Sequence, residues 1–163
     1  MSNARVLKLT MGHAAPDRDG NVLFWMQEKP DGTPLPFPMV TGDDANDATV
    51  GETAIWEVKN TAHGDHNFHP HGFMFQPLEV EYWTCDETLT QSVFVRKETF
   101  DFAEEKDTIR VPGAPLPACY IEDGRMVCPV CQPGTAYTVL RAAVNFDATG
   151  REDDVEAYGK APT

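Results

Sequence analysis

Two runs of alternating apolar and polar side chains constrain the fold of this 163-residue chain more than any other feature. They are Thr53–Asn60 and Thr138–Phe146. Because successive side chains of a β-strand point to opposite faces, apolar residues at every second position predict strands with one buried face. The positions that we predict to face the core are Trp56, Val58, Leu140, Ala142 and Val144.

Further short apolar runs predict more strands, separated by turn-forming residues. The chain contains 13 prolines and 12 glycines, and it shows no convincing amphipathic helix and no internal repeat. We therefore predict an all-β sandwich or barrel in a single domain, 1–163, with a Cys/Pro-rich loop at 113–134 and an acidic tail at 147–163. The additional predicted strands are Val6–Met11, Val22–Gln27, His66–Phe75, Leu78–Trp83, Ser92–Val95 and Lys106–Pro112.

The charge of the chain excludes two classes of partner. A formal net charge of −13 cannot neutralise phosphates, so we expect neither nucleic acid nor an anionic membrane surface as a partner. No run of 18 apolar residues occurs, which argues against a membrane span. The first residues also lack the apolar core of a signal peptide.

Histidines are concentrated in one short segment. Three of the five in the chain, His66, His69 and His71, fall within six residues. Neutral imidazole is the commonest transition-metal ligand, and it suits copper and zinc. If the segment is an extended strand, His69 and His71 share a face, while His66 points to the other side. The spacing therefore predicts metal ligands on both sides of one strand.

Four cysteines, Cys85, Cys119, Cys128 and Cys131, allow two interpretations. The favoured one is one or two disulfides that brace the 113–134 loop, with at least one bond joining Cys119 to Cys128 or Cys131. The alternative is a zinc knuckle whose fourth ligand is Cys85 or a distant histidine.

The pattern His-x-x-His-x-His-Gly, followed by an aromatic residue, resembles the first copper motif in the last domain of multicopper oxidases. Its context is similar as well. Residues 51–61 (GETAIWEVKNT) resemble the strand that leads into that motif, and residues 106–112 (KDTIRVP) resemble the family's Lys-Asp-Thr-Val-x-Val-Pro segment. The strand at 138–147 resembles the one that follows, so the likeness extends from about residue 50 to about residue 147.

This resemblance implies a cupredoxin-like Greek-key antiparallel β-sandwich that binds copper ions. It implies that His66 is a ligand of the type 1 copper, and that His69 and His71 are ligands of the trinuclear cluster. In the family, these centres couple oxidation of a substrate to reduction of dioxygen to water. The resemblance also implies that other cupredoxin domains of the same oxidase are partners, and that the protein is periplasmic or secreted.

The sequence also departs from the family pattern. The family completes its copper sites with a His-Cys-His segment near the C-terminus, but this chain has no cysteine after Cys131 and no histidine after His71. We therefore expect incomplete copper sites and no oxidase activity from this chain alone. Two alternatives remain open: a non-catalytic cupredoxin-like module for binding or assembly, and a small copper- or zinc-binding protein.

Overall fold

The fold is defined by a computed structural model that describes residues 4–12, 25–28, 34–35, 51–70, 73–101 and 103–146. Within these ranges the chain forms eleven strands and no helix. The strands are β1 Arg5–Met11, β2 Trp25–Glu28, β3 Pro34–Leu35, β4 Thr53–Asn60, β5 His66–Phe68, β6 Phe75–Cys85, β7 Ser92–Thr99, β8 Ile109–Val111, β9 Tyr120–Glu122, β10 Arg125–Val127 and β11 Tyr137–Asn145.

Seven strands form one sheet in the order β3-β2-β1-β4-β11-β6-β7. Two small sheets accompany it, one made of β5 and β8 and the other of β9 and β10. The ladders are antiparallel except for β1 with β4, which is parallel, so the main sheet is mixed. The predicted all-β, cupredoxin-like sandwich is confirmed. Across the described ranges, no helix is long and apolar enough to cross a membrane.

The core lies between the inner face of the large sheet and the β5–β8 pair. Four of the five predicted core residues are buried, and they lie on β4 and β11 in the middle of the large sheet. Trp56 is partly buried and packs on the core, with its ring centroid 5.1 Å from that of Phe68. The core residues are Leu7, Leu9, Met11, Ala54, Val58, Phe68, Phe75, Val80, Tyr82, Val111, Leu140, Ala142, Val144 and Phe146.

The predicted strand His66–Phe75 is wrong in its extent. Strand β5 ends at Phe68, and the next pairing strand begins at Phe75. Pro70 explains the early end, because it has no N–H for a ladder and restricts the residue before it. The 113–134 segment also differs from prediction, since it contains the β9–β10 hairpin. Its turn residues Asp123 and Gly124 both have positive φ, as a tight hairpin turn requires.

The outer face of the large sheet is organised around Arg141 of β11. Its guanidinium pairs with Glu57 of β4 at 2.9 Å and with Glu79 and Glu81 of β6 at 2.7 Å each. Lys97 of β7 adds a 3.0 Å contact to Glu79. Partial burial alone raises the pKa of Glu79, but the hydrogen bonds from Arg141 and Lys97 outweigh it, and the pKa lies below the ordinary value of 4.5.

Candidate metal centre

His66 begins strand β5 and stands at one end of the short β5–β8 ladder. It lies opposite Val111, and Phe68 lies opposite Ile109. The alternation of a strand is visible in the burial of its residues: Phe68 is buried in the core, Asn67 is exposed, and His66 is half-buried. The ladder therefore directs the His66 side chain to the same side of the strand as Phe68.

A cavity of about 470 Å³ lies next to His66. One wall is the segment 61–64 that precedes β5, and the opposite wall is the segment 130–136. Two histidines, His63 and His66, line the cavity, and Gln132 lines it from the 130–136 wall. The His66 ring is thus placed between a loop that follows β4 and a loop that precedes β11.

His69 lies just after β5 and is exposed. Its Nδ1 is 2.6 Å from the backbone carbonyl oxygen of Asp107 and 2.9 Å from the hydroxyl oxygen of Thr108. A carbonyl can only accept a hydrogen bond, so Nδ1 must carry the proton and donate it. In the neutral ring the lone pair is then on Nε2, and a neutral imidazole binds a metal through the nitrogen that carries the lone pair.

The positions of Asp107 and Thr108 were not identified as functional from sequence alone. The signal was present in the Lys-Asp-Thr segment, residues 106–108, but the backbone oxygen that orients His69 has no signature in the sequence. The position of this backbone oxygen depends on the short segment between Lys106 and strand β8. Lys106 forms a β-bridge with Phe75.

His71 lies outside the described residues, so its predicted position beside His69 stays a prediction. Among the residues that the structure does describe, no group of three or more histidine, cysteine or carboxylate side chains is placed to hold a metal ion. In the described part of the chain, His66 lines a cavity and His69 is at the surface.

All four cysteines form disulfides: Cys85 with Cys131 and Cys119 with Cys128. The prediction that Cys119 joins Cys128 or Cys131 is confirmed. The alternative of a zinc knuckle is wrong, because a zinc site needs thiolates.

The comparisons with known proteins agree with the motif. The profile of the family described as Multicopper oxidase matches residues 7–115. This chain belongs to the multicopper oxidase family. The matched region begins in β1, includes the histidine segment and extends past β8. A search of curated proteins found no match.

The residues of this multicopper oxidase chain fit copper in part. The hydrogen bond of His69 Nδ1 to the Asp107 carbonyl is compatible with a metal ligand that binds through Nε2, and His66 lines a cavity. A type 1 copper site also needs a thiolate, which the disulfide-bonded cysteines of this chain do not provide. The histidine segment therefore fits an imidazole contribution to copper sites, whereas the cysteines of this chain do not fit the thiolate of a type 1 site.

Proposed function

We propose that this chain is the copper-binding, cupredoxin-like domain of a multicopper oxidase, and that His66, His69 and His71 are its copper ligands. In this proposal His66 belongs to the type 1 site, and His69 and His71 belong to the trinuclear cluster. Copper held by these imidazoles would supply the electron transfer that couples oxidation of a reducing substrate to reduction of dioxygen to water. Other cupredoxin domains of the same oxidase supply the remaining ligands.

The observation that carries the proposal is the hydrogen bonding of His69. Nδ1 of this exposed histidine contacts two groups of one segment, the carbonyl oxygen of Asp107 and the hydroxyl oxygen of Thr108, which together restrict the orientation of the ring. Such outer partners are typical of metal-binding histidines, because they fix the tautomer and increase the basicity of the ligating nitrogen. The ring of His69 is thus already oriented for a ligand at Nε2.

Imidazole donors also decide which metal we expect. Copper(II) binds more tightly than zinc to a given nitrogen site, following the Irving–Williams order. Two disulfides in a chain of this size indicate an oxidising compartment, which favours a periplasmic or secreted protein.

Copper(II) titration against a competing chelator tests the proposal. The wild-type chain is compared with His69→Ala/His71→Ala and with Asn67→Ala, an exposed neighbour on the same segment. The control variant should bind copper like the wild type, and the double histidine variant should bind at least about tenfold more weakly. Equal affinity in all three proteins would contradict the assignment of these ligands.

A second candidate function is a non-catalytic copper-binding module. The observation that favours it is the pairing of all four cysteines, which leaves no thiolate for a blue copper centre within this chain. Because neither function predicts turnover from this chain alone, oxygen consumption is measured with a reducing substrate after other cupredoxin domains of a multicopper oxidase are added to the copper-loaded protein. Turnover that disappears in His69→Ala/His71→Ala supports the oxidase domain, whereas tight copper binding without turnover in that mixture supports the module.

A further inference from the structure

The end of the β5–β8 ladder is closed by one buried side chain, that of Asn60. Asn60 is the last residue of β4 and is fully buried. Its Nδ2 donates to the carbonyl oxygens of Gly64 at 3.0 Å, Val111 at 3.3 Å and Pro112 at 3.0 Å. Its Oδ1 accepts a hydrogen bond from the backbone N–H of Ala62 at 2.9 Å. The carboxamide thus joins the segment before His66 to the segment after β8.

Further contacts hold the same two segments together. The backbone N–H of Ala114 donates to the carbonyl of Ala62 at 2.7 Å, and that of Gly113 donates to Oδ1 of Asp65 at 2.8 Å. The approach at Gly113 is so close that an added Cβ would lie 2.1 Å from the carbonyl oxygen of His63. At Gly113 the two segments therefore lie too close together for a residue with a Cβ atom, unless one segment moves.

We propose that Asn60 is the positioning residue for His66. The carboxamide fixes the path of residues 61–65 against residues 111–114, and that path sets how the His66 imidazole enters its cavity. The inference deepens the proposed function, because it concerns one of the proposed copper ligands, but the positioning itself needs no copper. Asn60 does not touch a metal or a substrate in this account; it acts through the backbone.

The chemistry of the site explains why an amide is required. Three carbonyl oxygens converge on Nδ2. Carbonyls can only accept hydrogen bonds, and the NH2 group supplies two N–H donors for them. An aspartate at this position would have nearly the same shape, but it would place a carboxylate oxygen against those carbonyls. An apolar residue would remove the NH2 donor and leave the buried N–H of Ala62 without its acceptor, which is costly. Asparagine supplies both the donor for the carbonyls and the acceptor for the Ala62 N–H.

The test measures how fast diethyl pyrocarbonate acylates His66, with tandem mass spectrometry to resolve it from His69. Asn60→Asp is compared with the wild type and with Val80→Ala, a core variant in β6. We expect Asn60→Asp to change the His66 rate several-fold and to leave the His69 rate unaltered. Val80→Ala should lower the melting temperature without changing the ratio of the two rates. A ratio that is the same in all three proteins would overturn the proposal.

Asn60→Ser keeps the experiment decisive if the aspartate variant does not fold. Serine offers one donor and one acceptor, so the His66 rate should change in the same direction by a smaller factor. An unchanged rate ratio in a folded Asn60→Ser protein would also refute the proposal. The copper titration described above gives a separate answer: if the wild type binds no copper, the proposed function fails, while the acylation result still decides the role of Asn60.

Discussion

The two walls of the His66 cavity are held by different kinds of interaction. The wall at 61–64 is fixed by the buried Asn60 amide and by backbone hydrogen bonds to residues that border the core. The wall at 130–136 is fixed by the Cys85–Cys131 disulfide and by a hydrogen bond from the N–H of Gln132 to the carbonyl of Leu89, at 2.9 Å. One wall is held by polar contacts beside the core, and the other by a covalent bond.

The difference follows from how much apolar surface each wall can bury. Strand β5, which follows the first wall, and strand β8, which pairs with β5, contribute Phe68 and Val111 to the main core, so packing next to the first wall supports its polar contacts. Ile121 and Met126, in the segment before the second wall, and Val130, in the wall itself, are exposed. The buried residues of the second wall, Cys131 and Ala136, are small and belong to a minor cluster, so the hydrophobic effect contributes little there and disulfides supplement the packing.

The largest expected effect is on the wall at 130–136, which the Cys85–Cys131 disulfide holds. Cys85 and Cys131 are separated by 46 residues, and in the chain-entropy model a loop of this length contributes about 4 kcal/mol to stability. We expect Cys85→Ser/Cys131→Ser to lose most of that amount in the free energy of unfolding by denaturant. We also expect faster acylation of His66 at an unchanged His69 rate. If the His66 rate does not change, the second wall does not restrict access to the ring.

The second disulfide sharpens the comparison, because it closes a shorter loop farther from the cavity. Cys119 and Cys128 are nine residues apart, and the same model gives a contribution of about 2.5 kcal/mol. Cys119→Ser/Cys128→Ser should therefore cost less stability than the first pair. Hydrogen exchange should increase at the β9–β10 hairpin, while the His66 acylation rate stays at the wild-type value. A loss larger than that of Cys85→Ser/Cys131→Ser would reverse the ranking of the two bonds.

The smallest expected effect concerns the outer face, which belongs to neither wall. Because the pKa of Glu79 is lowered in the folded state, its stabilising contribution is present above the ordinary glutamate pKa and is lost as the pH falls through the folded value. Glu79→Gln should destabilise the protein by less than about 1 kcal/mol at neutral pH, and the difference should shrink below about pH 4.

Denaturant unfolding of both proteins from neutral to acidic pH measures this difference. Glu87→Gln, at an exposed position outside the Arg141 cluster, is the control and should follow the wild type. A Glu79→Gln deficit that is constant across the pH range would contradict the assigned origin. Neither variant should alter acylation of His66.

Much of the fold was predictable because alternation is a local property of the sequence. Strand β4 matches its predicted limits, and β11 differs from its prediction by one residue at each end. The same alternation places Asn60 on the inner face with Val58, so a buried polar residue there was a visible signal. What Asn60 binds was not predictable, since Val111 and Pro112 are about 50 residues away along the chain.

The candidate site was predictable in composition but not in arrangement. The motif identified the histidines, yet the two described ones lie in different surroundings because Pro70 ends the strand that was expected to carry them all. The Arg141 cluster was missed for a related reason. Its three glutamates come from two strands, and only the register of β4 and β6 against β11 brings them together.

The central claim is that the imidazoles of the histidine segment bind copper. Pulsed electron paramagnetic resonance of the protein loaded with one equivalent of copper(II) tests it most directly, because the spectrum reports coordinated imidazole nitrogens and any thiolate ligand. We predict imidazole signals that are lost in His66→Ala/His69→Ala/His71→Ala and no thiolate coordination in the disulfide-bonded chain. Unchanged imidazole signals in the triple variant, which would then have to come from His13 or His63, would contradict the account.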